Sequence, residues 1–293
     1  NKIKKIEEEK HFEYHQESIE EIREYLQELS VKVDIEKMKA YCEADKDNIK
    51  LISKENPINT STMLLDISMN PKGIDEEKTY MAHPEYTTII RRGNTILEEY
   101  IPQGNSFKYK KAYMLRKGMK KFIDLPFDFF GIDPKTNKYY LKTSNLENKE
   151  KANSLKYIFY PCIDANNRGY LIEIIKLMKA NGENAQISYS PLLNSWVIAS
   201  KNVCLCARKR SDLDTYYPKT RYDKETRSEV ATRYSFANII GHCWFDIIEN
   251  FSEGHINAIK NYIKDKTLIG EYVGNQYHQH LIRYMKHTIL FFG

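Results

Sequence analysis

Three short runs rich in β-branched and aromatic residues, Ala185–Tyr189, Trp196–Ser200 and Val203–Ala207, follow one another with only a few turn residues between them. Short apolar runs bounded by turns in this way read as strands alternating with turns. Two further runs upstream, Leu155–Tyr160 and Tyr170–Lys179, have the same strand character. Residues 209–227 are charged and contain tyrosines, which reads as a loop. A long amphipathic helix is expected over about 228–250, with Ala237, Ile240, Trp244, Ile247, Ile248 and Phe251 on one side, then a shorter helix near 255–265. A last strand, Thr267–Gly274, completes an α+β pattern of antiparallel sheets flanked by helices.

The first 45 residues read as helix. Phe12, His15, Ile19, Ile22, Leu26 and Leu29 recur at spacings of three and four between charged faces. That seam is too short to argue for a coiled coil by itself. It suits a helix docked on its own domain or one offered to a protein partner. Residues 46–80 are mixed and polar, with Pro57, Pro71 and Gly73 marking loops. Tyr86–Ile90 and Thr95–Tyr100, flanking Gly93-Asn94, give a β-hairpin signal. The interval 104–124 holds Lys108, Lys110, Lys111, Arg116, Lys117, Lys120 and Lys121 beside Tyr109, Tyr113 and Phe122. Cations interleaved with aromatics can hold phosphates and stack bases, or can form a solvated face. The sequence therefore divides into an N-terminal region, 1–105, and a second domain, 106–293.

The bulk properties set limits. Of 293 residues, 41% are hydrophobic and 29% charged, a globular balance with no apolar run long enough to span a bilayer. No membrane role is expected. A net charge of +5 permits an anionic partner without requiring one. Five irregularly spaced cysteines argue against a disulfide framework and for a reducing, intracellular setting, cytoplasmic or nuclear. Cys204 and Cys206 would share a strand face as core packing, and no zinc site is evident. The chain starts at Asn1, without Met or an apolar leader, which fits a start inside a longer protein.

Lys179-Ala180-Asn181-Gly182-Glu183 follows an apolar run and carries a turn sequence. An amine placed there loses hydration, which lowers its pKa towards what a nucleophile needs, and Gly182 lets the backbone approach a ligand. Alone, the tetrapeptide reads equally as an ordinary β-turn.

The segment resembles the Lys-x-Asp/Asn-Gly nucleophile motif of the covalent nucleotidyltransferases: DNA ligases, RNA ligases and capping guanylyltransferases. Its Asn variant is closest to that of fungal tRNA ligases. Ser200-Lys201-Asn202, with Lys201 22 residues after Lys179, resembles the Ser-Lys element of phage-type RNA ligases. Upstream, Gly118-Met119-Lys120-Lys121-Phe122-Ile123-Asp124-Leu125 is similar to the Lys- and Phe-rich segment that precedes the nucleophile strand there. Thr267–Gly274 resembles the third motif, whose carboxylate, here Glu271, meets the ribose or a metal.

The resemblance, over about 110–293, implies an ATP-grasp-like nucleotidyltransferase domain and an ATP-dependent RNA ligase using Mg2+ or Mn2+. Lys179 would carry AMP to an RNA 5′-phosphate, which a 3′-hydroxyl then attacks. Met178, Asn181, Gly182, Glu183, Lys201, Arg208, Glu271, Phe291 and Phe292 would line the nucleotide site, the two phenylalanines at the base. Lys117, Lys120, Lys121, Ser200 and Lys201 would face RNA or phosphate, and Glu271 the metal. Two elements of those ligases, a Glu-Gly-x-Val strand and a Lys-x-Lys strand, are not found before Gly293; the chain is expected to be a fragment of a longer ligase or to have the remainder supplied otherwise, with this piece alone short of full activity. His278 and His280 share a strand face but lack a third ligand, so a polar strand is preferred to a metal pair. A GTP-using capping enzyme and a non-catalytic RNA-binding protein on the same fold are the alternatives.

Overall fold

The computed structural model describes residues 34–72, 75–83, 85–104, 106–121, 130–136, 139–141, 179–216, 220–222, 229–275 and 282–293. The helical seam from Phe12 to Leu29, the strands expected at 155–178, Met178, Cys162, Phe122 and the His278/His280 pair lie outside them.

Two antiparallel sheets dominate, so the chain is α+β. The first sheet has the order β1-β2-β3-β4, from Ile49–Glu55, Thr62–Met69, Asn94–Gln103 and Ser106–Arg116. The second has the order β13-β12-β7-β8-β9, from Thr288–Phe291, Leu268–Val273, Glu183–Ser190, Ser195–Ala199 and Cys204–Ala207. Two short pairs complete the strands described, β5 (Phe130–Ile132) with β6 (Tyr139–Leu141) and β10 (Thr220–Tyr222) with β11 (Glu229–Ala231).

Strand alternation sorts the core into three layers. On the outer face of the first sheet, Leu65, Ile67, Ile96 and Met114 pack under helices α1 (Ile35–Ala44), α2 (Glu76–Ala82) and α3 (Tyr86–Ile89). Their inward neighbours Leu64, Leu97 and Tyr113 meet Val197, Ala199, Cys204 and Cys206 of the second sheet. The far face of that sheet, including Ile187, Trp196, Leu205 and Tyr272, packs under α4 (Ser235–Ile248) and α5 (Glu253–Ile263). The order is helices, sheet, sheet, helices. The described cysteines, Cys42, Cys204, Cys206 and Cys243, are unpaired and buried, and Cys204 and Cys206 pack between the sheets as their spacing suggests.

The expected strands at 185–207 and 267–274 form nearly as read, as do helices α4 and α5, although α4 begins at Ser235 rather than near 228. Tyr86–Ile90 corrects the hairpin expectation. Its first four residues form the one-turn helix α3, and β3 pairs instead with β2 and β4. The reason is tertiary: the Tyr86 ring stacks on His83 and meets Tyr41 edge-on, and its hydroxyl donates to Asp45. The β3–β4 hairpin turns at 104–105, so the first sheet draws strands from both sides of residue 105.

A buried polar cluster holds the sheets together. Arg116, fully buried on β4, donates to Thr95 Oγ1 (3.0 Å), Gln186 Oε1 (2.9 Å) and the Ser200 carbonyl (3.2 Å). Asp66 on β2 accepts from Lys54, Thr95, Arg233 and the Cys204 amide. Burial lowers the Arg116 pKa, while Asp66 acts in the opposite direction. Three cationic residues thus surround one buried carboxylate, a state that persists because that carboxylate accepts from four partners, while the buried Arg233 Nε is left without an acceptor. Among the described residues, no helix is long and apolar enough to cross a membrane.

Candidate functional site

Beyond the packed inter-sheet core, the inner face of the second sheet continues along β7 and β12. Register sets Glu271 opposite Asn184, and Tyr272 opposite Glu183. Tyr272 points into the core under α4, so Glu271 and Asn184 occupy the opposite, inter-sheet face.

The segment with Lys179 enters here. Lys179 lies just before β7 and is exposed, which corrects the expectation that its position strips the amine of hydration. The Gly182 amide donates to Glu271 Oε1 at 3.1 Å, and the Asn181 amide donates to the Tyr284 hydroxyl at 2.9 Å. Gly182 is required by space: a Cβ there would collide with the Tyr272 carbonyl of β12. Two segments read separately in the sequence thus meet, residue against residue. A cleft of about 510 Å³ lies beside them, lined by Tyr272, Asn275, Tyr284, Met285, Lys286 and His287.

Lys201 reaches the same end of the inter-sheet face along a chain of polar contacts. Its Nζ pairs with Glu76 Oε2 at 2.5 Å, and Arg92 Nε donates to Glu76 Oε1 at 3.1 Å. The Arg92 carbonyl accepts from Gln186 Nε2 at 3.1 Å, and the same nitrogen donates to Asn184 Oδ1 at 2.7 Å. Asn184 is the cross-strand neighbour of Glu271. Gly93, at φ +92°, allows this approach, because a Cβ would crowd Lys201 and Arg116.

The other expected residues are distributed differently. Ser200 is buried and structural: its amide donates to Val203 and its carbonyl accepts from Arg116. Lys121 pairs with Glu77 at 3.2 Å. Lys117 is exposed, and its pKa is lowered by partial burial and by Arg91 and Lys120 nearby. Arg208 is exposed, its side chain donating to the Leu193 carbonyl. Phe291 lies opposite Gly270, on the α4 side, with its ring edge-on to Trp244 at 6.1 Å. Alternation therefore turns it away from Glu271, whereas Leu290 pairs with Glu271. Phe292 continues the ladder through its amide to the Ile269 carbonyl, is 55% exposed, and falls on the Glu271 side.

Glu76, Arg92, Gln186 and Tyr284 join the site without having been singled out in the sequence. For Glu76 a signal existed: Asp75 caps α2, and Glu76-Glu77 fill its first turn, the usual acidic start of a helix. Among the described residues no group of three His, Cys, Asp or Glu side chains could hold a metal by itself. Glu271 has one carboxylate oxygen committed to Gly182 and the other to offer, which suits a Mg2+ that takes most of its ligands from substrate phosphates and water.

Comparison of the chain with protein-family models, curated proteins and solved structures finds no match in any of the three.

Proposed function

We propose that the protein is an ATP-dependent RNA ligase of the covalent nucleotidyltransferase kind, with Lys179 as its adenylate carrier. The observation that carries this reading is the hydrogen bond from the Gly182 amide to Glu271, which joins the Lys-x-Asn-Gly segment to the carboxylate of the third resembling element. The pairing of β7 with β12 brings the segment to this carboxylate across 89 residues of chain, and the Gly182 amide then satisfies one of its oxygens.

In the proposed reaction the Lys179 amine attacks the α-phosphorus of ATP. A P–N bond forms, the bond to the β-phosphate oxygen breaks, and pyrophosphate leaves with the electron pair as the amine gives up a proton. An RNA 5′-phosphate oxygen then displaces the lysine, and a 3′-hydroxyl displaces AMP to form the phosphodiester. A bound divalent cation would neutralise charge on the phosphoryl oxygens. Glu271 orients the carrier segment and contacts ribose or metal, and Phe292 is better placed than Phe291 to meet the base.

A second reading, a non-catalytic RNA-binding protein on the same architecture, gains support from Lys201, which is ion-paired with Glu76. Incubation of the full-length protein with α-32P-ATP and Mg2+ or Mn2+ separates the two. Covalent labelling that disappears in Lys179→Ala supports the ligase. Absence of label, or label unchanged by the substitution, refutes it. Labelling by GTP alone favours capping.

A further inference from the structure

The β3–β4 hairpin runs on past the helices that cover the rest of its sheet. Over 100–104 and 106–110 its side chains are exposed or half-buried, with Phe107 60% and Tyr109 46% exposed. Register places Tyr100 opposite Tyr109, and their rings meet edge-on at 6.0 Å. Phe107, two residues from Tyr109, shares that face by alternation. The face is the outer one, since Lys39 of α1 sits over the Tyr109 ring at 5.4 Å.

We infer that this hairpin is a docking platform for single-stranded RNA, with Phe107 and Tyr109 stacking bases on the outer face, while Lys108 and Lys111, which the register sets on the opposite face, meet the phosphates together with Lys110 where the RNA backbone crosses the edge strand β4. The occupant follows from charge and ring geometry. The stretch from Tyr100 to Lys111 carries three lysines and no acidic residue. Carboxylates flank its root, where Glu98 holds Lys39 at 2.6 Å, Glu99 lies 3.4 Å from Lys110, and Glu36 of α1 faces Tyr109 together with Lys39. Lysines on an edge strand also discourage sheet-to-sheet association, but that role does not call for neighbouring exposed aromatics. Phe107 and Tyr109 stand roughly 6.8 Å apart along the strand. That is about twice the 3.4 Å rise of stacked nucleotides, so an unstacked strand can lay successive bases on the two rings. Duplex RNA keeps its base faces covered and offers nothing to them.

The inference deepens the ligase reading, because it gives the RNA a seat outside the nucleotide site. The test is fluorescence anisotropy with a labelled single-stranded oligouridine, alongside self-adenylation without RNA. Phe107→Ala with Tyr109→Ala should weaken RNA binding by roughly tenfold to a hundredfold. Phe107→Trp should preserve binding, and self-adenylation should be unchanged in both. Replacing Lys108, Lys110 and Lys111 by Gln should reduce the slope of log affinity against log salt by about 2. Both exposed-ring variants should melt with the parent, which excludes misfolding. RNA affinity unchanged by the double substitution, including the case where only self-association changes, overturns the platform. RNA binding lost as expected, in a protein that never self-adenylates, upholds the platform and overturns the ligase.

Discussion

Lys201 and Glu76, 125 residues apart in the chain, form an ion pair at 2.5 Å that ties the turn after β8 to the start of α2. Arg92 shares the same carboxylate, so Glu76 neutralises two cations in a partly buried setting. Glu76→Gln leaves both with a weaker acceptor and should cost about 1–3 kcal/mol, seen as a fall of several degrees in the calorimetric melting temperature. A double-mutant cycle with Lys201→Met should give a coupling of about 1 kcal/mol; additivity would mean that the pair contributes nothing.

Gly182→Ala tests the contact between the carrier segment and β12. The added methyl collides with the Tyr272 carbonyl and crowds the Glu271 side chain. The segment must retreat, breaking the Gly182–Glu271 bond. Self-adenylation should fall at least tenfold, which corresponds to about 1.4 kcal/mol of transition-state stabilisation. Glu271→Gln keeps an acceptor for the amide and should leave the segment in place, so its loss of activity reports the charge offered to ribose or metal. Undiminished self-adenylation in Gly182→Ala would show that Gly182 does not position the carrier.

Arg116 is the test of sheet-to-sheet cohesion. Arg116→Ala removes the donors to Thr95, Gln186 and Ser200 and should cost about 3–5 kcal/mol. Arg116→Lys retains the charge but cannot reproduce the guanidinium fork, so an intermediate loss is expected. Urea midpoints measure both. A lysine variant as stable as the parent would show that charge alone, without the fork, is sufficient.

Alkaline pH should destabilise the fold between about pH 10 and 12. Burial, then the hydrogen bond to Asp45, pushes Tyr86 up to about 12. The hydrogen bond to Glu98 and then burial raise Tyr100 to about 12, and burial followed by Cys243 does the same for Tyr272. A pKa raised on folding means that the native state holds the proton longer. The associated stability is full below the unfolded value near 10 and is lost as pH rises towards 12. Absorbance at 295 nm should show a late-titrating set of tyrosines, and the melting temperature should fall over the same interval. Tyr100→Phe should make that fall shallower.

Legibility in the sequence followed the range of the forces involved. β7, β8 and β9 were readable because their apolar residues are adjacent in the chain and their turns are short. Tyr86–Ile90 was misread because Thr87, Thr88, Ile89 and Ile90 favour a strand locally, while the contacts of Tyr86 with Tyr41, His83 and Asp45 decide for a helix. β1 and β2 were missed for a related reason. Asp66 interrupts the apolar pattern of Thr62–Met69, and the cations that make its burial tolerable include Arg116 and Arg233, far along the chain. At the site, Lys179, Gly182 and Glu271 could be named from their motifs. Glu76, which holds Lys201, could not, since nothing in a sequence reports a pairing across 125 residues.

Asp66 also bears on how such a chain is made. Synthesis proceeds from the N-terminus, so Lys54, Thr95 and Arg116 leave the ribosome long before the Cys204 amide and Arg233. Until then the first sheet shows water the inner face that later covers Val197 and Ala199, with Leu64, Leu97 and Tyr113 uncovered. The nascent first half is thus a sticky intermediate by construction. Its demand for chaperone protection should end only when β8 and β9, which cover those residues, have emerged.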